Sequence, residues 1–287
     1  MKTTSVSNYL SLIKFSHTVF ALPFALLGFF LAVKTTDANF EWKLFGLVVL
    51  CMVFARSAAM AFNRFIDNDI DKQNPRTAIR EIPSGIIGKS SALVFVIMNS
   101  LFFVTATYFI NTICFYLSPV ALLVILGYSY TKRFTFLCHL ILGLGLSLAP
   151  IGAWLAVTGE FSLLPILFSF AVLFWVSGFD IIYALQDEAF DKSKGLHSIP
   201  AAIGTKNALL LSSVFHFISA SFIFTAGIIN HVGVLYWIAG LIFSGLLLYQ
   251  HSLVKPTDLT KVNIAFFTTN GIASIIFATL AIADLYL

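Results

Sequence analysis

Charge is scarce in this sequence. Asp, Glu, Lys and Arg make up only 10% of its 287 residues, against 59% hydrophobic ones, and mean hydropathy is +0.94. A water-soluble domain carries far more polar surface, and one with this composition would aggregate. Cysteine is equally scarce. Cys51, Cys114 and Cys138 are odd in number and lie in or beside apolar runs, so they read as buried free thiols and exclude a disulfide framework or a thiolate metal site. Apolar and polar residues do not alternate, which excludes a membrane β-barrel. No small-residue cleavage site follows "HTVFALPFALLGFFLAV", so no cleavable signal peptide is expected. No low-complexity linker or soluble appendage interrupts the chain, and a single domain over 1–287 is the simplest reading. Nothing points to nucleic acid or to an obligate protein partner.

What is present instead is a series of continuous apolar runs, each long enough to cross the hydrocarbon core as a helix. Nine spans are expected, near 16–34, 43–62, 91–110, 113–131, 138–157, 163–183, 207–229, 232–253 and 263–285. The expected fold is therefore an all-α polytopic membrane protein. Basic residues set its orientation, because short cytoplasmic loops collect Lys and Arg. With the N-terminus in the cytoplasm, the inner segments hold 14 of the 17 basic residues, and only Lys34 and Lys43 fall outside. The expected location is a bacterial inner membrane or an organelle membrane.

Acidic residues number 13, and seven of them crowd into "NRFIDNDIDK" (63–72) and "DIIYALQDEAFDK" (180–192). Both stretches fall at expected inner ends of spans. Residues four apart share a helix face, so Asn63, Asp67 and Asp71 form one row and Tyr183, Asp187 and Asp191 another. Asp187 and Asp191 each follow their counterparts Asp67 and Asp71 by 120 residues. "PSGIIGKSSAL" (83–93) is loosely echoed by "PAAIGTKNALL" (200–210), which suggests an internal repeat whose two acidic rows face one cavity. Carboxylates on one face repel unless a cation lies between them. Oxygen ligands without Cys or a His cluster favour Mg²⁺, which takes one or two carboxylates and completes its shell with water and substrate phosphate. Arg76 and Arg80 trail the first row, Lys192 and Lys194 the second, and "YSYTKR" (128–133) adds Lys132 and Arg133. Such cations suit a departing diphosphate; the positive-inside rule alone would also place them there. Arg56, alone within an apolar span, needs a partner. A secondary transporter also combines internal repeats with acidic residues, but usually near the bilayer midplane.

These residues resemble the UbiA superfamily of membrane aromatic prenyltransferases. The family's first motif, NDxxDxxxD, is similar to "NRFIDNDID" at Asn63, Asp67 and Asp71, with Arg64 standing at its second position. Its second motif resembles "DIIYALQDEAFD" at Asp180, Tyr183, Asp187 and Asp191. Tyr128 and Lys132 match a YxxxK pair, Arg56 precedes the motif Asn by seven residues, and "RTAIREIPSG" (76–85) resembles the family's following loop. The resemblance implies nine helices around a central cavity and transfer of a polyprenyl group from its diphosphate to a ring carbon of an aromatic acid. Within the superfamily it points to 4-hydroxybenzoate in quinone biosynthesis, with a dihydroxynaphthoate of menaquinone biosynthesis as the alternative. It implies Mg²⁺ held by Asn63, Asp67, Asp71, Asp187 and Asp191. Arg76, Lys132 and Lys194 would hold the departing charge, and Tyr128 and Tyr183 would contribute to substrate binding. Arg56 would anchor the acceptor carboxylate, with Lys14 and His17 as lesser candidates.

Overall fold

A computed structural model of the chain describes residues 6–14, 20–36 and 38–287. Among these residues there is no strand, only an isolated bridge between Lys255 and Asp258. The helices are α1 (Val6–Leu12), α2 (Leu22–Thr35), α3 (Trp42–Ile66), α4 (Asn68–Asp71), α5 (Lys89–Ile110), α6 (Thr112–Thr131), α7 (Cys138–Thr158), α8 (Leu163–Ala184), α9 (Glu188–Lys194), α10 (Ile199–Ile229), α11 (Val234–Leu253) and α12 (Asn270–Asp284). A 3-10 turn, Leu185–Asp187, joins α8 to α9, and a π-helical turn, Ile264–Thr269, leads into α12.

Eight of these segments are long and apolar enough to cross a membrane: α3, α5, α6, α7, α8 with its continuation to Lys194, α10, α11, and the π turn with α12. They make the chain a multi-pass membrane protein. The first expected span is only partly described. His17 and its neighbours lie outside the described residues, and α2 is a 14-residue apolar helix, about 21 Å long at the usual rise. It is therefore too short alone for a hydrocarbon core of about 30 Å.

Helix α8 is the central post. It packs along α7 and α10, and small residues bring the three backbones together, as expected where no water drives helix association. A Cβ on Gly143 of α7 would lie 2.4 Å from the Leu173 carbonyl oxygen, and one on Gly178 would meet the His216 ring of α10 at 2.4 Å. Aromatic rings fill the space behind it: Trp175 contacts Phe24, Phe179 and Phe243, and Phe277 packs on Phe24 and Phe243. In the other half α3 packs along α5. Asn111 ties the end of α7 to the turn before α6. Its side-chain oxygen accepts from the Cys114 N–H at 2.9 Å, and its amide donates to the Leu155 and Ala156 carbonyls.

Helix α10 starts at Ile199, eight residues before the expected span. Gly204, at φ 78° and ψ 161°, breaks it near its start. That conformation is open to glycine and strained for other residues, which explains how a polar lead-in joins a membrane helix at an angle.

The π turn has its own support. The Trp175 indole donates to Asn270 Oδ1 at 2.8 Å, and the Asn270 amide donates to the Ala265 and Phe266 carbonyls at 3.0 and 2.9 Å. Asn270 is fully buried. Replacing it with Ala leaves a buried indole N–H and widened-turn carbonyls unsatisfied, at about 1–3 kcal/mol for each such group. Asn270→Ala is expected to lower the thermal unfolding midpoint in detergent by several degrees, and Asn270→Gln to lower it less.

Candidate active site

Each acidic motif sits where a membrane helix breaks. Asp67 closes α3 and opens α4, with φ −85° and ψ 2°. Asp187 closes the turn after α8 and opens α9, with φ −104° and ψ 2°. Both lie in the sparsely allowed bridge region where active-site residues are often found. The expected rows are therefore not on uninterrupted helices. In the first motif the four-residue backbone bonds persist across the break, from Asp67 N–H to Asn63 and from Asp71 N–H to Asp67, so Asn63, Asp67 and Asp71 keep a common side.

The two motifs line one polar chamber of about 650 Å³, together with Arg56, Arg64, Arg76, Arg80, Tyr128, Lys132, Arg133 and Tyr183. Its carboxylates are held by cations, two of them from the other half of the chain. Arg76 donates from Nε to Asp187 Oδ1 at 3.1 Å, pairs through Nη2 with Oδ2, and donates from Nη1 to the Tyr183 hydroxyl at 2.9 Å. Asn74 adds a bond to Asp187 at 3.1 Å. Lys132 pairs with fully buried Asp191 at 2.8 Å, and Ser198 donates to the other oxygen of Asp191 at 2.8 Å. The next residue, Arg133, pairs with Asp67 at 2.9 Å, while the Asn63 amide donates to Asp67 Oδ2 at 3.1 Å. Arg80 Nη1 reaches both oxygens of Asp71 at 2.8 Å. Burial pushes the Asp67 carboxyl above the usual carboxylate range despite Arg133. Burial opposes the charge on Arg76, but its bonds to Asp187 and Tyr183 outweigh this and hold the guanidinium above its ordinary value.

Arg56, Met60, Tyr128, Leu142 and Leu146 line this chamber and also a second, apolar cavity of about 370 Å³ between α3, α6 and α7. Small and aliphatic side chains such as Ala55, Ala121, Gly152 and Ala153 form its walls. Arg56 Nε is buried at this junction with no partner among the described residues. Phe266, carried by the π turn, packs on the Tyr183 ring at 4.2 Å and lines the polar chamber.

Most of the expected residues come together: Arg56, Asn63, Asp67, Asp71, Arg76, Tyr128, Lys132, Tyr183, Asp187 and Asp191 all line the chamber, and so does Lys14. Lys194 does not. It is exposed as the last residue of α9, where the chain leaves the helix at Gly195, and absent from the chamber wall; Arg80 and Arg133 supply charge there instead. Arg64 is 3% exposed and pairs at 3.5 Å with Glu81, which also accepts from Ser11 of α1. The Ser11 bond and Arg64, working against burial, hold the Glu81 carboxyl below the usual range. Sequence reasoning missed this pair and missed His139, whose Nδ1 lies 2.7 Å from Asp180. An Arg inside an acidic motif was the available signal for the first; no periodicity marked the second.

The donor set fits a hard divalent cation shared with a substrate. It consists of side-chain oxygens in two groups, Asn63, Asp67 and Asp71 in one and Asp187 and Asp191 in the other, and among the described residues no three His, Cys, Asp or Glu side chains form a ready-made cage. Mg²⁺ sites built from one or two carboxylates plus phosphate have this character.

Lys132→Met leaves the Asp191 carboxylate buried without its cation, which is expected to cost about 3 kcal/mol. Adding Asp191→Asn should restore much of that loss, as measured by thermal unfolding of single and double variants in detergent.

Comparison with known proteins agrees with this geometry. The sequence profile of the UbiA prenyltransferase family matches residues 21–272. The 4-hydroxybenzoate octaprenyltransferase of Nitrosomonas europaea is 31% identical over 242 residues, covering 84% of this chain and 82% of that protein. The apo structure of a UbiA homologue from Aeropyrum pernix K1 superposes with a TM-score of 0.84 at 31% identity, over 93% of this chain and 98% of that one. A UbiA homologue from Archaeoglobus fulgidus bound to DMAPP and Mg²⁺ shares the fold, with a TM-score of 0.75 at 21% identity over 98% and 99% of the two chains. The chain belongs to the UbiA prenyltransferase family.

Proposed function

We propose that the chain transfers a polyprenyl group from polyprenyl diphosphate to a ring carbon of 4-hydroxybenzoate. The observation that carries this reading is the union of two spaces at Arg56 and Tyr128: a polar chamber with paired acidic motifs and cations, and an apolar cavity. A donor with a charged head and a long apolar tail needs both. Asn63, Asp67, Asp71, Asp187 and Asp191 would hold Mg²⁺, which neutralises the diphosphate when bound. Arg76, Arg80, Lys132 and Arg133 are placed to receive diphosphate oxygens, so charge on the leaving group meets fixed cations rather than reorienting water. The apolar walls hold the tail and keep water from the allylic carbon. Arg56 would take the acceptor carboxylate: a guanidinium desolvated at a cavity junction and lacking a partner at Nε among the described residues has unused bonding capacity. The basic residues gathered at the chamber end support a cytoplasmic active site in the inner membrane, with the N-terminus on the same side. The acceptors named for the curated relatives support 4-hydroxybenzoate over a naphthoate.

Purified protein given geranyl diphosphate and 4-hydroxybenzoate is expected to form the ring-prenylated acid only with a divalent cation. Chelator should abolish turnover and Mg²⁺ restore it; full turnover in chelator overturns the reading. Asp67→Asn and Asp187→Asn should each lower kcat/KM at least ~100-fold. Arg56→Ala should raise KM for the acid about tenfold or more while leaving KM for the donor nearly unchanged. A rise confined to the donor would assign Arg56 to the diphosphate instead.

A further inference from the structure

The chamber holds one carboxylate unlike the others. Asp67, Asp71, Glu81, Asp187 and Asp191 each pair with Arg133, Arg80, Arg64, Arg76 and Lys132 respectively. Asp180 has no Arg or Lys partner among the described residues. Its Oδ2 meets only the His139 imidazole, at 2.7 Å. The His139 side chain is 4% exposed, whereas Asp180 keeps 21% of its side chain open on the chamber it lines.

The imidazole's own partners fix its orientation. His139 Nε2 accepts from the Ile199 N–H at 3.3 Å, one of the first amides of α10. With Nε2 turned to that amide, Nδ1 is the nitrogen that donates to Asp180. That bond holds one oxygen of the carboxylate in a fixed orientation. Asp71 and Asp187, by contrast, meet guanidinium nitrogens at both oxygens, whereas among the described residues only Oδ2 of Asp180 is bonded. Position agrees with chemistry. Arg56, Tyr128 and Asp180 line the same chamber, so an aromatic acid anchored at Arg56 would share that space with the Asp180 carboxylate.

We infer that Asp180 is the general base that removes the ring proton, and that His139 is the residue that positions it. The inference rests on the prenyl-transfer reading above. In the step, the bond between the prenyl carbon and the diphosphate oxygen breaks, its electron pair leaving with diphosphate. A ring π pair forms the new carbon–carbon bond. The proton on that ring carbon passes to the free oxygen of Asp180, the C–H pair restores aromaticity, and the proton then leaves to bulk water.

The test uses purified full-length protein, geranyl diphosphate, and 4-hydroxybenzoate either unlabelled or deuterated ortho to its hydroxyl. Diphosphate released, ring-prenylated acid and free geraniol are quantified together. Wild-type protein should give close to one diphosphate per prenylated acid and little isotope effect. Asp180→Asn should lower ring transfer at least ~100-fold, the scale of a lost general base, while diphosphate release falls far less. Geraniol should then accumulate, and a primary isotope effect should appear on the remaining transfer. His139→Ala should show the same uncoupling more weakly, and His139→Asn, whose amide can donate from nearly the same place, should restore coupling. Binding of geranyl thiodiphosphate with Mg²⁺ checks that each variant is folded and should be unchanged. An Asp180→Asn protein that loses diphosphate release and ring transfer in equal proportion, or that loses neither, overturns the inference. So does His139→Asn behaving as His139→Ala. If Asp180→Asn does not bind the thiodiphosphate, the His139 pair and its isotope effect decide. Wild-type protein that prenylates no acid would overturn the function itself, a result distinct from a coupled variant.

Discussion

Carboxylates placed where a membrane meets water must be neutralised, and the way this chain neutralises them shapes the rest of the site. Two of the counter-charges are supplied from one half of the chain to the other, by Arg76 and Lys132. Arg76, trailing the first motif, holds Asp187 of the second. Lys132 and Arg133, adjacent in sequence at the end of α6, divide between Asp191 and Asp67. Such pairs add little net stability, because desolvation offsets attraction, but losing one partner is costly. Their consequence is geometric. The two motifs cannot drift apart without leaving charges buried and unpaired, so the chamber is held together by the same groups that would meet a diphosphate.

The membrane helices serve this arrangement through their ends. Asp67 and Asp187 each occupy the break between a long helix and a short one, which frees acidic side chains from the apolar phase and turns them inward. Behind the second motif, support runs from the core to the surface of the site. Buried Trp175 bonds Asn270, Asn270 holds the π turn, and the turn presses Phe266 on Tyr183, whose hydroxyl accepts from Arg76. A local widening of a helix at a functional site is a recurring use of the π turn. On the apolar side, small residues of α3, α6 and α7 leave room that larger ones would fill.

Much of this was legible in the residues themselves. Long apolar runs specify membrane helices because the backbone has no other way to satisfy its polar groups in lipid, and eight of the nine expected spans appear with ends within a few residues, apart from the early start of α10 at Ile199. The acidic rows and Arg56 were legible because charge is costly in such a chain and must have a reason. What was not legible depends on long-range approach. Nothing near Asp180 in sequence indicates that His139, 41 residues earlier, lies against it. Arg64 at a motif position was visible, but its partner Glu81 reaches it only through the fold of the following loop. Lys194 was expected in the site on the strength of a basic residue following an acidic one, but it ends α9 exposed, one residue before Gly195.

Membership of the UbiA prenyltransferase family is shown; the proposed reading of the joined polar and apolar spaces requires that both acidic motifs act on a single diphosphate. The most direct measurement is a binding cycle, by calorimetry, of geranyl thiodiphosphate with Mg²⁺ to wild-type protein, Asp67→Asn, Asp187→Asn and the double variant. If the two halves share one ligand, each single change should weaken binding at least about tenfold, with the double change far from the sum of the two, as expected for coupled groups. Strictly additive losses, or wild-type affinity in either single variant, would contradict the account.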